Sequence, residues 1–255
     1  MKTENGEWIM KGCDPSSPDA LRSPDDAKAL IRDAGFMPLF SNDIAGFSIE
    51  EHVPASAWWS GDGRTDPWEW RMILAREPDI AYGKFFGRAA GFVSRDFFPT
   101  LANYRRDGYD FDALFEDELA SYRSKKIMDA FELDEEAVGR ELMTSDLRHM
   151  AGFGRDGGEK NFEGCLTDLQ MQTYLIIGDF RQKVNKQGGS YGWHIAVVET
   201  PETKWGRDFV TSAYSEKPGL SWRRIAEKAR QIAPHASDEA LRRILGIRRS
   251  YGETA

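Results

Sequence analysis

Four tryptophans, Trp58, Trp59, Trp68 and Trp70, fall within the 13 residues of WWSGDGRTDPWEW. Asp62, Asp66, Glu69 and Arg71 stand among them. A carboxylate against indole surface is poorly solvated, so its pKa rises toward the range of a general acid or base. The indoles themselves offer a stacking surface for a small aromatic ligand. A plainer reading competes. Asp66 is a natural helix cap with Pro67 at the first helical position, Glu69 is its capping-box partner, and the tryptophans are core. Trp68 and Trp70 lie two apart and do not share a helical face, so one of them points away from the other's packing.

The remaining chemistry-bearing residues are sparse. His52, His149, His194 and His235 show no metal-ligand spacing, and Cys13 and Cys165 sit far apart in unlike contexts. The chain has no phosphate-cradling glycine loop, no dinucleotide fingerprint, no paired-histidine zinc helix and no nucleophile elbow. The expectation is an absence of cofactor and metal. Two isolated cysteines fit a reducing, cytoplasmic setting. No apolar run is long enough to span a membrane, and MKTENGEWIMKG lacks the apolar stretch of a signal peptide.

The elements that must position these residues are clearest from Thr144 to Trp205. A helix is expected from about Ser145, with Leu147 and Met150 facing inward. Phe153-Gly154 and Gly157-Gly158 mark a turn. A second helix is expected over Glu159–Gln172, where Phe162, Leu166 and Leu169 make one face. Tyr174–Val184 reads as a strand, 185–190 as a turn, and Tyr191–Val198 as the returning strand. With a helix at Tyr122–Phe131 ahead of them, these give the order of a winged helix-turn-helix. Its second helix would present Lys160, Asn161, Glu163, Thr167 and Asp168, and two acids there repel phosphate. Arg155 precedes that helix, and the hairpin offers Arg181, Lys183 and Lys186, which can track a phosphate backbone.

Upstream, Ser23–Asp26 opens a helix, Phe36–Phe40 is an extended apolar piece, and 79–94 reads as two short apolar stretches broken at Gly87 and Gly91. Downstream, a polar linker runs through Lys217–Gly219 to two helices, over Ser221–Ile232 and Ser237–Leu245. No internal repeat is legible. The net charge is −8, which argues against generic nucleic-acid affinity. It is uneven: −11 over 1–143, −1 over 144–205 and +5 over 220–249. Arg223, Arg224, Arg242, Arg243, Arg248 and Arg249 therefore have two possible partners, phosphate or the acidic N-terminal half, and the attraction of opposite charges favours the second.

The winged-helix stretch, the WWSGDGRTDPWEWR segment and the YGW, TPE and WG signatures of residues 191–206 resemble the AlkZ-related family, distant relatives of the AlkZ DNA glycosylases. The resemblance covers about Gly35 to Gly206. It implies tandem winged helices and a metal-free excision of alkylated or crosslinked purines from DNA. The AlkZ enzymes carry a Gln-apolar-Gln motif, and Leu169-Gln170-Met171-Gln172 has that form, although it lies later in the chain. On this reading Gln170 and Gln172 orient a water. Asp62, Asp66 or Glu69 activates it, and Trp58, Trp59, Trp68 and Trp70 stack on a base.

The expected architecture is α+β, with a winged-helix centre, additional helices and short strands, and room for tandem units. The divisions are an arm at 1–23, an acidic Trp-rich region at 24–121, a winged helix at 122–206, and a linker with basic helices at 207–255. The expected partner is DNA. The alternative is a non-enzymatic module that holds a protein or a small aromatic ligand through the Trp-rich segment. No membrane association is expected, and the sequence fixes no oligomeric state.

Overall fold

The computed structural model describes residues 2–4, 7–131, 141–154, 158–185 and 187–246. Arg155, Lys186, Arg248 and Arg249 lie outside the described residues. The fold is α+β, built on a six-stranded antiparallel sheet with helices packed around it.

A small hairpin, β1 (Lys2–Glu4) and β2 (Glu7–Ile9), precedes the main body. Helix α1 (Pro24–Ala34) starts where Ser23 caps the Asp26 amide and Pro24 occupies the first turn, and it stops at Gly35, whose φ is +79°. Strand β3 (Phe36–Pro38) follows, then two single 3-10 turns, Ile49–His52 and Ala55–Ala57. Helix α2 (Pro67–Ala75) leads into β4 (Ile80–Phe86) and β5 (Ala89–Ser94). Helices α3 (Phe98–Arg106), α4 (Phe111–Glu116) and α5 (Tyr122–Asp129) follow. Then come β6 (Leu142–Met143), α6 (Thr144–Met150), α7 (Phe162–Met171), β7 (Ile176–Val184) and β8 (Ser190–Glu199). The last described elements are α8 (Pro201–Trp205), α9 (Arg207–Val210), α10 (Pro218–Ile232) and α11 (Asp238–Leu245).

The sheet order is β3-β5-β4-β7-β8-β6. Its symmetry was invisible in the residues. The run α5-β6-α6-α7-β7-β8 places the short strand β6 against β8. The run α1-β3-turns-α2-β4-β5 places the short strand β3 against β5 in the same way. The connectivity therefore repeats, helix, strand, second helix, third helix and hairpin, with two 3-10 turns standing in for the second helix of the first unit. The two units join where β4 pairs with β7 at Tyr82 and Ile177. The third helices cross that seam: α2 packs on β7 as well as β4, and α7 packs on β4.

Two details differ from the sequence reading. Helix α6 begins at Thr144 rather than after a Ser145 cap, because β6 ends at Met143 and the chain turns directly into the helix. The stretch after Trp205 is not an extended linker. It holds α9, and Pro218 is the first residue of α10, the position where a missing N–H costs nothing.

One apolar cluster joins the first unit to α10 and α11 through Ile31, Phe36, Trp70, Phe92, Ile225 and Leu241. A second lies under α4 to α7, with Ile127, Leu147, Phe162 and Leu175. Arg105 and Arg106 are buried where these bodies meet. Arg105 donates to three backbone carbonyls, of Met171 at 2.8 Å, Phe85 at 2.5 Å and Leu245 at 3.2 Å. Arg106 pairs with Glu202 at 2.5 Å and donates to the Thr173 carbonyl.

Candidate functional site

The Trp-rich segment folds onto the start of α2. Asp66 is 1% exposed. Its Oδ1 accepts from the Trp68 amide at 2.9 Å and its Oδ2 from the Gly61 amide at 2.9 Å. It is the cap the sequence predicts, with both oxygens engaged. Asp62 is exposed and accepts from the Arg64 amide and the Thr65 hydroxyl. Glu69 is half-buried on α2.

The four indoles divide. Trp70 is buried in the core and donates to the Arg64 carbonyl at 3.2 Å. Trp58, Trp59 and Trp68 form a contiguous group with Phe40. Ring centroids lie 5.9 Å apart for Trp58 and Trp59, 4.9 Å for Trp59 and Trp68, and 5.7 Å for Phe40 and Trp58. The Trp58 indole N–H is buried without an acceptor. Trp59 is 41% exposed and held at φ +66°, a conformation that bulky residues avoid. The Arg71 guanidinium lies 3.7 Å above the Trp68 ring and 4.5 Å from the Phe180 ring. Desolvation depresses the Arg71 pKa, opposed by the nearby Tyr82, Glu69 and Asp66.

A second group gathers at the far end of α2. Glu199, at the end of β8, is 6% exposed, and no hydrogen bond to its carboxylate is found among the described residues. Its pKa is raised, chiefly by desolvation, with Lys204 acting in the opposite sense. Gly178 makes this placement possible, since a Cβ there would overlap Glu199 Oε1. Lys204 donates to the Ala75 carbonyl at 2.9 Å, and burial lowers its pKa. Asp179 pairs with Arg76 and with Arg181, and Arg181 pairs with Glu141. Sequence reasoning missed Glu199. Its one signal is the residue type at the end of an otherwise apolar strand.

Gln170 is 1% exposed. Its Oε1 accepts from the Lys84 amide at 3.0 Å and its Nε2 donates to the Leu166 carbonyl at 3.2 Å, so both ends of the amide tie α7 to backbone. Gln172 is half-buried at the C-cap of α7. Among the described residues neither glutamine has a hydrogen bond to the Trp-rich segment.

Of the residues expected on the nucleic-acid side, Lys160 and Lys183 are exposed. Asn161 sits at the N-cap of α7 with φ +68°. The Arg181 charge is held by Glu141 and Asp179, which raise its pKa. Seven of the ten residues of α7 are buried, Thr167 among them, and Asp168 pairs with Arg88. The β7–β8 hairpin behaves differently. Among the described residues no third strand flanks it beyond Val197, and it exposes Val184, Tyr191 and, at 92%, Trp193. Arg243 reaches Asp43 of the acidic half at 2.8 Å, while Arg224 pairs with Glu216. A polar cavity of about 210 Å³ lies elsewhere, between Asp110, Arg207 and Tyr214.

Comparison with known families places this fold and its sites in context. The model of the family described as AlkZ related matches residues 21–246. The chain belongs to the AlkZ-related family. No curated protein and no solved structure matches it. No helix among the described residues is long and apolar enough to cross a membrane.

Proposed function

We propose that the chain is a DNA-associated protein of two tandem winged-helix units, acting as a metal-free glycosylase on modified purines. The two matching runs of helix, strand, helices and hairpin support the tandem assignment. Family membership supports the chemistry. The observation that carries DNA association is the β7–β8 ribbon. Trp193 and Tyr191 stand in solvent beside Lys183, on a two-stranded projection of the kind a groove admits. Helix α7 is a poor reader of the major groove, because most of it is buried against β4 and its own unit.

In the proposed reaction the bond between the sugar C1′ and the base nitrogen breaks. Its electron pair leaves with the base, water adds to C1′, and the base takes a proton. The transition state is an electron-poor sugar, stabilised by a carboxylate or an oriented dipole near C1′. Glu69 and Asp62 retain free lone pairs for this role, whereas Asp66 is spent on its cap. Gln172 is better placed than Gln170 to hold a water, because Gln170 would first have to release the Lys84 amide. The indoles of Trp58, Trp59 and Trp68 supply the stacking surface for the base, while Trp70 is committed to the core.

The test is binding to a labelled duplex across a salt series, with an alkylated duplex beside it scored for base release. Binding that weakens steeply with salt reports phosphate contacts. Base release lost in Gln172→Ala with binding retained supports the glycosylase reading. Absence of binding at low salt refutes both DNA roles. It would favour a second reading, a non-enzymatic module that takes an aromatic ligand at the Trp-rich segment, where the Trp58 N–H has no acceptor.

A further inference from the structure

We infer that Arg71, with the indole faces of Trp59 and Trp68, forms a binding site for a nucleotide unit, an aromatic ring carrying a nearby phosphate. This deepens the proposed function by naming the ligand chemistry of the Trp-rich segment.

Arg105 and Arg106 are fully buried, whereas Arg71 is half-buried. Both terminal nitrogens of Arg105 donate to carbonyls, three in all, although its Nε has no partner, and Arg106 donates to Glu202 and Thr173. Arg71 has a different setting. It lies between the Trp68 and Phe180 rings, and among the described residues it has neither an ion pair nor a hydrogen-bond acceptor. Its Nε is buried and unpartnered. Asp66 and Glu69 act on it electrostatically, but Asp66 has both oxygens committed to backbone amides. A partly desolvated guanidinium whose Nε has no acceptor is costly, and an oxyanion presenting two acceptors relieves that cost through a bidentate contact.

The neighbouring aromatic surface specifies what carries the oxyanion. Trp59 holds its strained backbone while leaving its indole partly in solvent, packed 4.9 Å from Trp68. Strain of this kind persists where surroundings enforce it, and it concentrates at ligand sites. The Trp59–Trp68 ring spacing leaves no gap for a third ring between them, so a base stacks on the outer Trp59 face. From there its phosphate turns back toward Arg71. Stacking of this kind tolerates any base. The phosphate has two sources, a free nucleotide or a nucleic-acid strand.

The experiment titrates the full chain at low salt with deoxyadenosine, deoxyadenosine monophosphate, inorganic phosphate and a short single-stranded oligodeoxyadenylate, reading indole fluorescence. The phosphate-bearing nucleotide or the strand should bind at least about tenfold tighter than the nucleoside. That preference should vanish in Arg71→Met and survive in part in Arg71→Lys, and quenching should fall in Trp59→Phe. Binding of the strand alone assigns the phosphate to nucleic acid, and equal binding of the monophosphate assigns it to a free nucleotide. Equal affinity for nucleoside and nucleotide in the unaltered chain overturns the inference, as does absence of binding by both phosphate-bearing ligands. Neither comparison depends on a variant folding. No turnover is scored, so a chain that binds through Arg71 yet releases no base keeps this site and loses the glycosylase reading.

Discussion

Replacing Arg105 by methionine tests what holds the two units together. The Arg105 guanidinium collects the carbonyls of Met171 at the end of α7, Phe85 in β4 and Leu245 at the end of α11. Each is a group that regular structure leaves without a partner. The first and last belong to helix C-termini, and Phe85 lies within the register shift between Gly83 and Phe86. Methionine preserves much of the buried volume but donates nothing. Three buried acceptors left unmet cost about 1–3 kcal/mol each. Removing a buried cation that has no counter-charge offsets part of this. Desolvation already depresses the Arg105 pKa to about 9, a measure of that discomfort. The balance is a net loss of about 3–5 kcal/mol. Urea unfolding followed by tryptophan fluorescence and circular dichroism gives the value, with Arg105→Lys recovering only part. A loss under about 1 kcal/mol would refute the assignment of Arg105 as the partner that satisfies all three carbonyls.

Other expectations concern the Glu199 site and the hairpin. Because desolvation raises the Glu199 pKa, the folded chain holds this proton more tightly than the unfolded chain. The resulting contribution to stability is largest at acid pH and is lost as pH rises through the folded-state pKa. Glu199→Gln should therefore stabilise the protein at neutral and mildly alkaline pH, with the gain shrinking as pH falls through the raised folded-state pKa and gone below the ordinary glutamate pKa. Melting temperatures measured across pH would show it, and an equal gain at every pH would contradict it. Gly178→Ala should destabilise by about 1–3 kcal/mol through overlap with Glu199, and adding Glu199→Ala should restore part of the loss in the same denaturant assay. Trp193→Ala should leave the unfolding midpoint within about 0.5 kcal/mol of the parent, since Trp193 is 92% exposed, while weakening duplex binding in a gel-shift titration.

The second unit was legible because its signals are local. Phe162, Leu166 and Leu169 share a helical face, and α7 and β8 end within a few residues of where periodicity and turn residues put them. The Asp66 cap and the opposite fates of Trp68 and Trp70 also followed from spacing alone. The first unit escaped recognition as an equivalent unit. Its first strand is three residues long, and its second helix is reduced to two 3-10 turns, so no period survives there to read. The repeat lives in strand pairing, which no single segment encodes. Likewise the meeting of Arg71 with Phe180, and of Glu199 with Gly178, depends on the β4–β7 seam and a register shift in β7.

The outermost strands of the sheet carry a further consequence, for solution behaviour. At one side the sheet finishes with β3, three residues long and ending in Pro38, which has no N–H to offer. At the other it finishes with β6, only two residues long. The outermost strands themselves thus offer a second molecule little ladder to extend, while β8 stays open toward the hairpin tip among the described residues. Joining the two three-stranded halves edge to edge, through β4 and β7, removes two of the four margins that separate bodies would leave for a second molecule to extend.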